Sequence, residues 1–259
     1  MTQEQMPALI AVVGTLILLI LEKTWPEAKG RDRVTRHALR NLSLGWLNGI
    51  ALALLAAPLL VMAAGWAEER NFGLLRLIPL PGAVATILGL VLFDGWMYLW
   101  HRANHEIGFL WRFHRVHHND PEMDVTTTLR FHLGEIALST LLRLLVIPWL
   151  GLTIGQLLLY ETLLFPVILF HHSNVRFPER VDRRLRALIV TPAVHRIHHS
   201  EIRVETDSNY SSIFSFWDRL AGTFRLRPDG RPVDFGLAEY RDDHWQRVRG
   251  MMLLPFSRK

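Results

Sequence analysis

The chain of 259 residues has no cysteine, which excludes disulfides, thiolate zinc sites, iron–sulfur clusters and a cysteine nucleophile. Any metal it binds must be held by histidine or carboxylate. It lacks a glycine-rich dinucleotide loop after a strand, and none of its histidine pairs encloses the glutamate of an H-E-x-x-H hydrolase. Nor do aromatic and basic residues interleave as they would on a nucleic-acid surface, so no nucleic-acid partner is expected. What the sequence has in excess is apolar residues, half of the total. A mean hydropathy of +0.17 beside 20% charged residues implies long apolar segments separated by charged loops.

Those segments can be read directly. Pro7 to Leu21 is an uncharged run that reads as a short span, because Glu4 and no positive charge precede it and no small-residue cleavage pattern follows. Leu42 to Ala67 and Leu77 to Phe93 are each long enough to cross a bilayer as a helix. Leu133 to Phe170 is broken near its middle by Pro148, Gly151 and Gly155, which predicts a helical hairpin with its tip at Trp149 to Thr153. Five membrane segments result. If they alternate direction, 26 of the 29 Lys and Arg residues fall on one side and Arg70 and Arg76 alone on the other, with Arg143 inside the hairpin. By the positive-inside rule the basic side is cytoplasmic and the N-terminus faces out. The net charge of +5 then reports orientation and affinity for anionic head groups. Arg143 and Glu161, each nine residues from Leu152 at the hairpin tip, are predicted to meet as a buried ion pair.

The chemistry lies in the histidines. Five of the 13 occur between His101 and His118, and three more are His195, His198 and His199. Two pentapeptides are almost identical, His114-Arg-Val-His117-His118 and His195-Arg-Ile-His198-His199. On a helix, residues at i, i+3 and i+4 share a face, so His101 with His105, and each triplet within the pentapeptides, present imidazoles in one direction. Eight converging nitrogens exceed what one tetrahedral ion takes and argue for two metals; imidazole without thiolate suits iron, copper, nickel or zinc. His172, at the end of the fifth segment between two histidine-rich stretches, joins them as a ninth ligand, with His171 as its substitute if the helix is rotated. All nine fall on the basic side. Asp94, seven residues before His101, either orients a ligand imidazole or meets water as an interfacial charge. His132 reads as a further candidate ligand or, instead, as a partner of Glu135 or of a substrate, and His37 and His244 as ordinary surface or core residues.

At this point the sequence resembles the fatty acid hydroxylase and sterol desaturase superfamily of integral-membrane di-iron oxygenases. The resemblance rests on His101-Arg-Ala-Asn-His105, Trp111-Arg-Phe-His114-Arg-Val-His117-His118, Phe170-His-His172-Ser-Asn174 and Thr191-Pro-Ala-Val-His195-Arg-Ile-His198-His199. It continues through Asn209-Tyr210 and Phe216-Trp217-Asp218-Arg219-Leu220-Ala-Gly-Thr223, covering roughly residues 90 to 224. His171 before Ser-Asn, and Ser211 in place of the glycine expected after Asn-Tyr, depart from the pattern and bear on the subfamily, not on the ligands. The resemblance implies an all-α, multi-span membrane protein with a cytoplasmic histidine-rich helical cap. It implies two Fe ions held by the three histidine boxes and His172, with Asn209 and Asp218 in support, and O2 as co-substrate for hydroxylating or desaturating a lipid C–H bond. No catalytic side chain beyond the metal ligands is implied.

Three regions follow: spans in 1–93, a catalytic region in 94–224 that includes the hairpin 133–170, and a cytoplasmic tail in 225–259. The host membrane would be the inner membrane of a bacterium or the endoplasmic reticulum of a eukaryote. A lipid substrate would slide in between the spans, with Trp96, Met97 and Trp100 either lining its path or forming an interfacial belt. Electrons must come from an external donor, ferredoxin- or cytochrome-type with its reductase. Arg183, Arg184 and Arg186 could dock such a donor, although phospholipid contact is the stronger reading. Two rivals stand beside the oxygenase. A membrane zinc hydrolase would need a general base beside paired histidines, and a metal transporter or sensor would place ligands at mid-bilayer.

Overall fold

The computed structural model of the protein describes residues 5–28, 34–227 and 232–257. Lys29, Arg31, Arg33, Arg231, Arg258 and Lys259, counted above for orientation, lie outside them. The described residues are all-α, with three isolated bridges, Pro26 to Val175, Ile189 to Phe214 and Ser200 to Phe235, tying loops together.

Helix α1 (Gln5–Thr24) lies against the last long helix of the bundle. Helix α2 (Val34–Ala51) runs through a π-helical turn (Leu52–Ala56) into α3 (Ala57–Glu69). At 1.5 Å per residue this continuous helix is roughly 54 Å long, well beyond a hydrocarbon core of about 30 Å. Its first turns therefore stand outside the lipid, where they bury His37, Asn41 and Asn48 against polar partners. Helix α4 (Gly82–Glu106) starts five residues later than the apolar run because Pro79 and Pro81 hold the preceding chain extended. It also continues twelve residues past Asp94, so His101 and His105 ride on the span itself.

Helices α5 (Gly108–His118), α6 (Leu133–Leu150) and α7 (Ile154–His172) follow. The hairpin tip falls where the sequence places it. Gly151 closes α6 in the left-handed region (φ 77°), and Thr153 opens α7 with a capping box to Gln156. A β-carbon on Gly73 would lie 2.3 Å from the Gly151 Cα, so glycine is what lets the 70–81 loop close over the hairpin tip. Stretches 36–76, 82–106, 133–150 and 154–172 are long and apolar enough to cross a membrane. They pack around Phe93, Ile147, Leu157, Tyr160 and Leu164, with Phe93 and Tyr160 edge to face at 4.8 Å. Their outer faces leave Leu54, Met62 and Leu145 more than 65% exposed, as lipid-facing side chains should be.

The opposite end carries a cap of short helices: α8 (Glu179–Leu185), α9 (Pro192–His198), α10 (Arg203–Thr206), α11 (Phe216–Ala221), α12 (Asp243–Gln246) and α13 (Val248–Leu253). Glu22 of α1 fastens it, accepting from the backbone N–H groups of Val125 (2.8 Å) and Asn174 (2.6 Å). The tail is built in: Arg115 of α5 donates to the Leu254 and Ser257 carbonyls and to the Tyr240 hydroxyl.

Candidate metal centre

The nine histidines singled out in the sequence form two adjoining clusters. His101, His105, His114, His118 and His198 make one, and His117, His172, His195 and His199 the other; within each, one nitrogen per ring lies within 4.8 Å of all the rest. They come from the ends of α4 and α7 and from α5 and α9, all at the cap end of the bundle. The repeated pentapeptide is thereby explained. In His114–His118 the first and last histidines enter the five-membered cluster and His117 the other; in His195–His199 the assignment is reversed. Each box straddles both clusters, crosswise.

The donor set fits cations. His101 Nδ1 is 2.8 Å from the Tyr210 carbonyl, His114 Nδ1 2.8 Å from Glu135 Oε1, and His198 Nδ1 2.7 Å from the Ser208 carbonyl. Each of these outer atoms can only accept, so the Nδ1 proton is held there and Nε2 is left with its lone pair. Yet His101 Nε2 lies 3.2 Å from His114 Nε2 and 3.0 Å from His198 Nε2. Lone pairs facing one another in a buried site repel unless a cation sits among them. In the second cluster His172 Nδ1 donates to the Ile168 carbonyl at 2.8 Å, and its Nε2 is 3.0 Å from His117 Nε2 and 3.1 Å from His195 Nε2. Burial and neighbouring imidazoles hold His117, His118, His195 and His199 well below the usual histidine range. Burial takes His198 from 6.5 down to about 3. These five rings are neutral at physiological pH, as ligands must be.

The supporting residues act through the backbone. Asp94 touches no imidazole and meets no water. It is fully buried and accepts from Tyr160 Oη (2.9 Å), Trp217 Nε1 (3.1 Å) and the N–H groups of Ile213 (3.2 Å) and Phe214 (3.1 Å). Asp218 accepts from the N–H groups of Tyr210 and Ser211. Asn209, in the left-handed region (φ 55°), donates to the Val194 and Arg225 carbonyls. All three fix the 208–217 segment, whose Ser208 and Tyr210 carbonyls orient His198 and His101. His132 lies in neither cluster: its Nδ1 caps α6 by accepting from Gly134 N–H, and Glu135 is bonded to His114 instead. His171 is also outside both, its ring tilted 31° against that of His195 with centroids 3.9 Å apart. His37 is buried between Asp120 (2.7 Å) and Asp124 (3.2 Å). Asp207, 3.4 Å from His105 Nδ1, was not singled out in the sequence, where nothing distinguishes it from a surface acid.

A cavity of about 190 Å³ opens from the clusters into the bundle. Its wall includes His101, His114, His117, His171 and His172 at one end, and Leu52, Met97, Trp100, Ile136 and Ile168 beyond. Trp96 faces away, toward a separate groove with Trp149 and Trp217. Arg143 pairs with Glu161, but the pair is not buried: the arginine side chain is 13% exposed and the glutamate 40%. On α8, Arg183 and Arg184 are exposed, whereas Arg186 is bound to Glu179 and Asp182.

Two histidine clusters at one end of a bundle of membrane-length helices, beside a cavity that enters the bundle, form a centre that could hold two metal ions. The chain belongs to the fatty acid hydroxylase family, which it matches over residues 86–223. It is accordingly an O2-dependent oxidoreductase. It is 29% identical over 254 residues to the ornithine lipid hydroxylase OlsE of Rhizobium tropici, covering 93% of this chain and 71% of that one. It is 28% identical over 228 residues to an alkylglycerol monooxygenase of Danio rerio, and 26% identical over 153 residues to a cholesterol 25-hydroxylase of Rattus norvegicus. Those matches take 86% and 58% of this chain, which spans about half the length of each of the two animal proteins (48% and 50%). No solved structure matches.

Proposed function

We propose that the protein is a lipid hydroxylase that inserts one oxygen atom of O2 into a C–H bond of a membrane lipid, the other leaving as water with two electrons from an external donor and two protons, with two irons held by His101, His105, His114, His118 and His198 and by His117, His172, His195 and His199. The observation that carries this reading is the set of Nε2 atoms facing one another 3.0–3.2 Å apart at the inner end of a cavity leading into the bundle. Two irons there would supply the redox equivalents that O2 activation needs, which zinc cannot. The chain's own residues do the rest. Glu135 and the Ser208, Tyr210 and Ile168 carbonyls hold Nδ1 protons and so fix ring orientation. Met97, Trp100, Ile136 and Ile168 exclude water and position the lipid. Hydroxylation is favoured over desaturation because the relatives above are named hydroxylases and monooxygenases.

On the distribution of basic residues the histidine end faces the cytoplasm, which gives a soluble or membrane-bound ferredoxin- or cytochrome-type donor access to it. Arg183 and Arg184 suit contact with lipid head groups. The hydrolase and transporter readings draw no support from ligands at the cap end of the spans with no general base between paired histidines. The test is lipid mass spectrometry of membranes containing the wild-type protein or His198→Ala. One lipid class gaining the mass of an oxygen atom in the wild type alone is the expected result; identical profiles, with iron-loaded protein present in the wild type, would overturn it.

A further inference from the structure

We propose that Arg143 is the residue that selects the substrate, by binding an uncharged carbonyl oxygen of the lipid inside the membrane. This rests on the lipid-oxidising reading above. The wall that α6 gives the cavity includes Glu135, Ser139 and Arg143, spaced by four and therefore on one face of the helix. Glu135 marks the histidine end, since it is bonded to His114. Arg143 stands two turns further in, roughly 12 Å along the axis, near the middle of an 18-residue span.

An arginine at this depth is costly, and a purely structural ion pair could be replaced by apolar side chains without loss. Its surroundings instead suit a binding group. The side chain is 13% exposed, its guanidinium lies 5.2 Å over the Phe93 ring, and its Nη2 pairs with Glu161. A planar donor group is thus held by Phe93 and Glu161 at a cavity wall, where 13% of the side chain stays accessible. Glu161 already balances the charge, so a carboxylate or phosphate would bring an uncompensated anion into low dielectric, whereas an ester or amide carbonyl would not. The carbon to be oxidised, at the histidine end, then lies roughly 12 Å from that carbonyl.

The experiment measures retention of probe lipids by the delipidated, iron-loaded full chain, using native mass spectrometry. The probes are a diacyl phosphatidylcholine with ester carbonyls, a sphingomyelin with an amide carbonyl, and the dialkyl ether analogue of the first with none. The wild type is expected to hold at least one carbonyl lipid roughly tenfold more tightly than the ether. Whichever carbonyl probe is held better identifies the linkage. Arg143→Met with Glu161→Met, which removes both charges and strands neither, is expected to abolish that difference. Arg143→Lys, which keeps a donor, retains part of it. Equal binding of all three probes by the wild type, or a preference that survives in the double variant, would overturn the proposal. Iron content read on the same samples keeps the two claims apart: lost preference with iron retained speaks to Arg143, and a wild type that takes up no iron speaks to the oxygenase reading.

Discussion

The rings of His118 and His199 stack 4.4 Å apart and 16° from parallel, although His118 belongs to the five-histidine cluster and His199 to the four-histidine cluster. Each is the last residue of its pentapeptide. The stack is where the crosswise boxes meet, and it holds the two clusters in fixed relation. The clusters are not equally braced from outside. His101, His114 and His198 have Nδ1 partners in the first, whereas only His172 has one in the second, and the Nδ1 atoms of His117, His195 and His199 are buried without a protein partner.

Outer hydrogen bonds to ligating imidazoles raise metal affinity by about 10- to 100-fold. Graded chelation of the iron-loaded protein should therefore proceed in two steps, with the four-histidine cluster emptied first. Iron content against chelator concentration should show a plateau at one ion per chain. His172→Ala should remove the weaker step and leave the other. A single step would contradict the difference in bracing.

Glu135→Ala should lower affinity at the five-histidine cluster by about 10- to 100-fold, because His114 loses the acceptor that fixes its tautomer. Glu135→Gln keeps an acceptor and should retain most of the affinity. Metal titration of the two variants checks this; equal losses would show that charge at Glu135, not tautomer control, is what matters.

Asn209→Ala removes two side-chain donors to backbone carbonyls and asks alanine to adopt a φ of 55°. It should destabilise the protein by about 1–3 kcal/mol and weaken iron binding, since the carbonyls on either side of it orient His198 and His101. Thermal unfolding with and without iron measures both effects. A variant with wild-type iron affinity would mean that the 208–210 backbone holds its shape unaided.

His198 titrates at about 3 in the folded chain against 6.5 when free. Below 6.5 the unfolded chain takes up a proton that the folded chain does not, so stability falls as pH drops from about 6.5 toward 3 and is independent of this group above 6.5. The other depressed cap histidines add in the same direction. Unfolding midpoints of the metal-free protein should thus climb with pH across that window, while His37, raised to about 10 by Asp120 and Asp124 against the cost of its burial, contributes stability that is lost again as pH rises from 6.5 toward 10. A flat response below pH 6.5 would contradict the burial of neutral imidazoles.

Much of this site is legible in the sequence because imidazoles at i, i+3 and i+4 leave few other roles, and hydropathy places the spans that carry them. The hairpin tip is likewise readable from Pro148, Gly151 and Gly155, which break the apolar stretch. The true start of α4 at Gly82 is legible from Pro79 and Pro81, although the apolar run begins at Leu77. Two things are not. Which cluster each histidine joins depends on how α5 and α9 cross, and pentapeptide spacing alone does not reveal that. The outer partners are mostly carbonyls of Ser208, Tyr210 and Ile168, which any residue type could supply. Asp94 is misread for the same reason, since its partners Tyr160 and Trp217 are 66 and 123 positions away.

The most direct test is elemental analysis of the protein purified from membranes, wild type beside His198→Ala. Two irons per chain in the wild type, falling in the variant, is the predicted result. One zinc per chain, with no O2 uptake when the protein is reduced, would contradict the account.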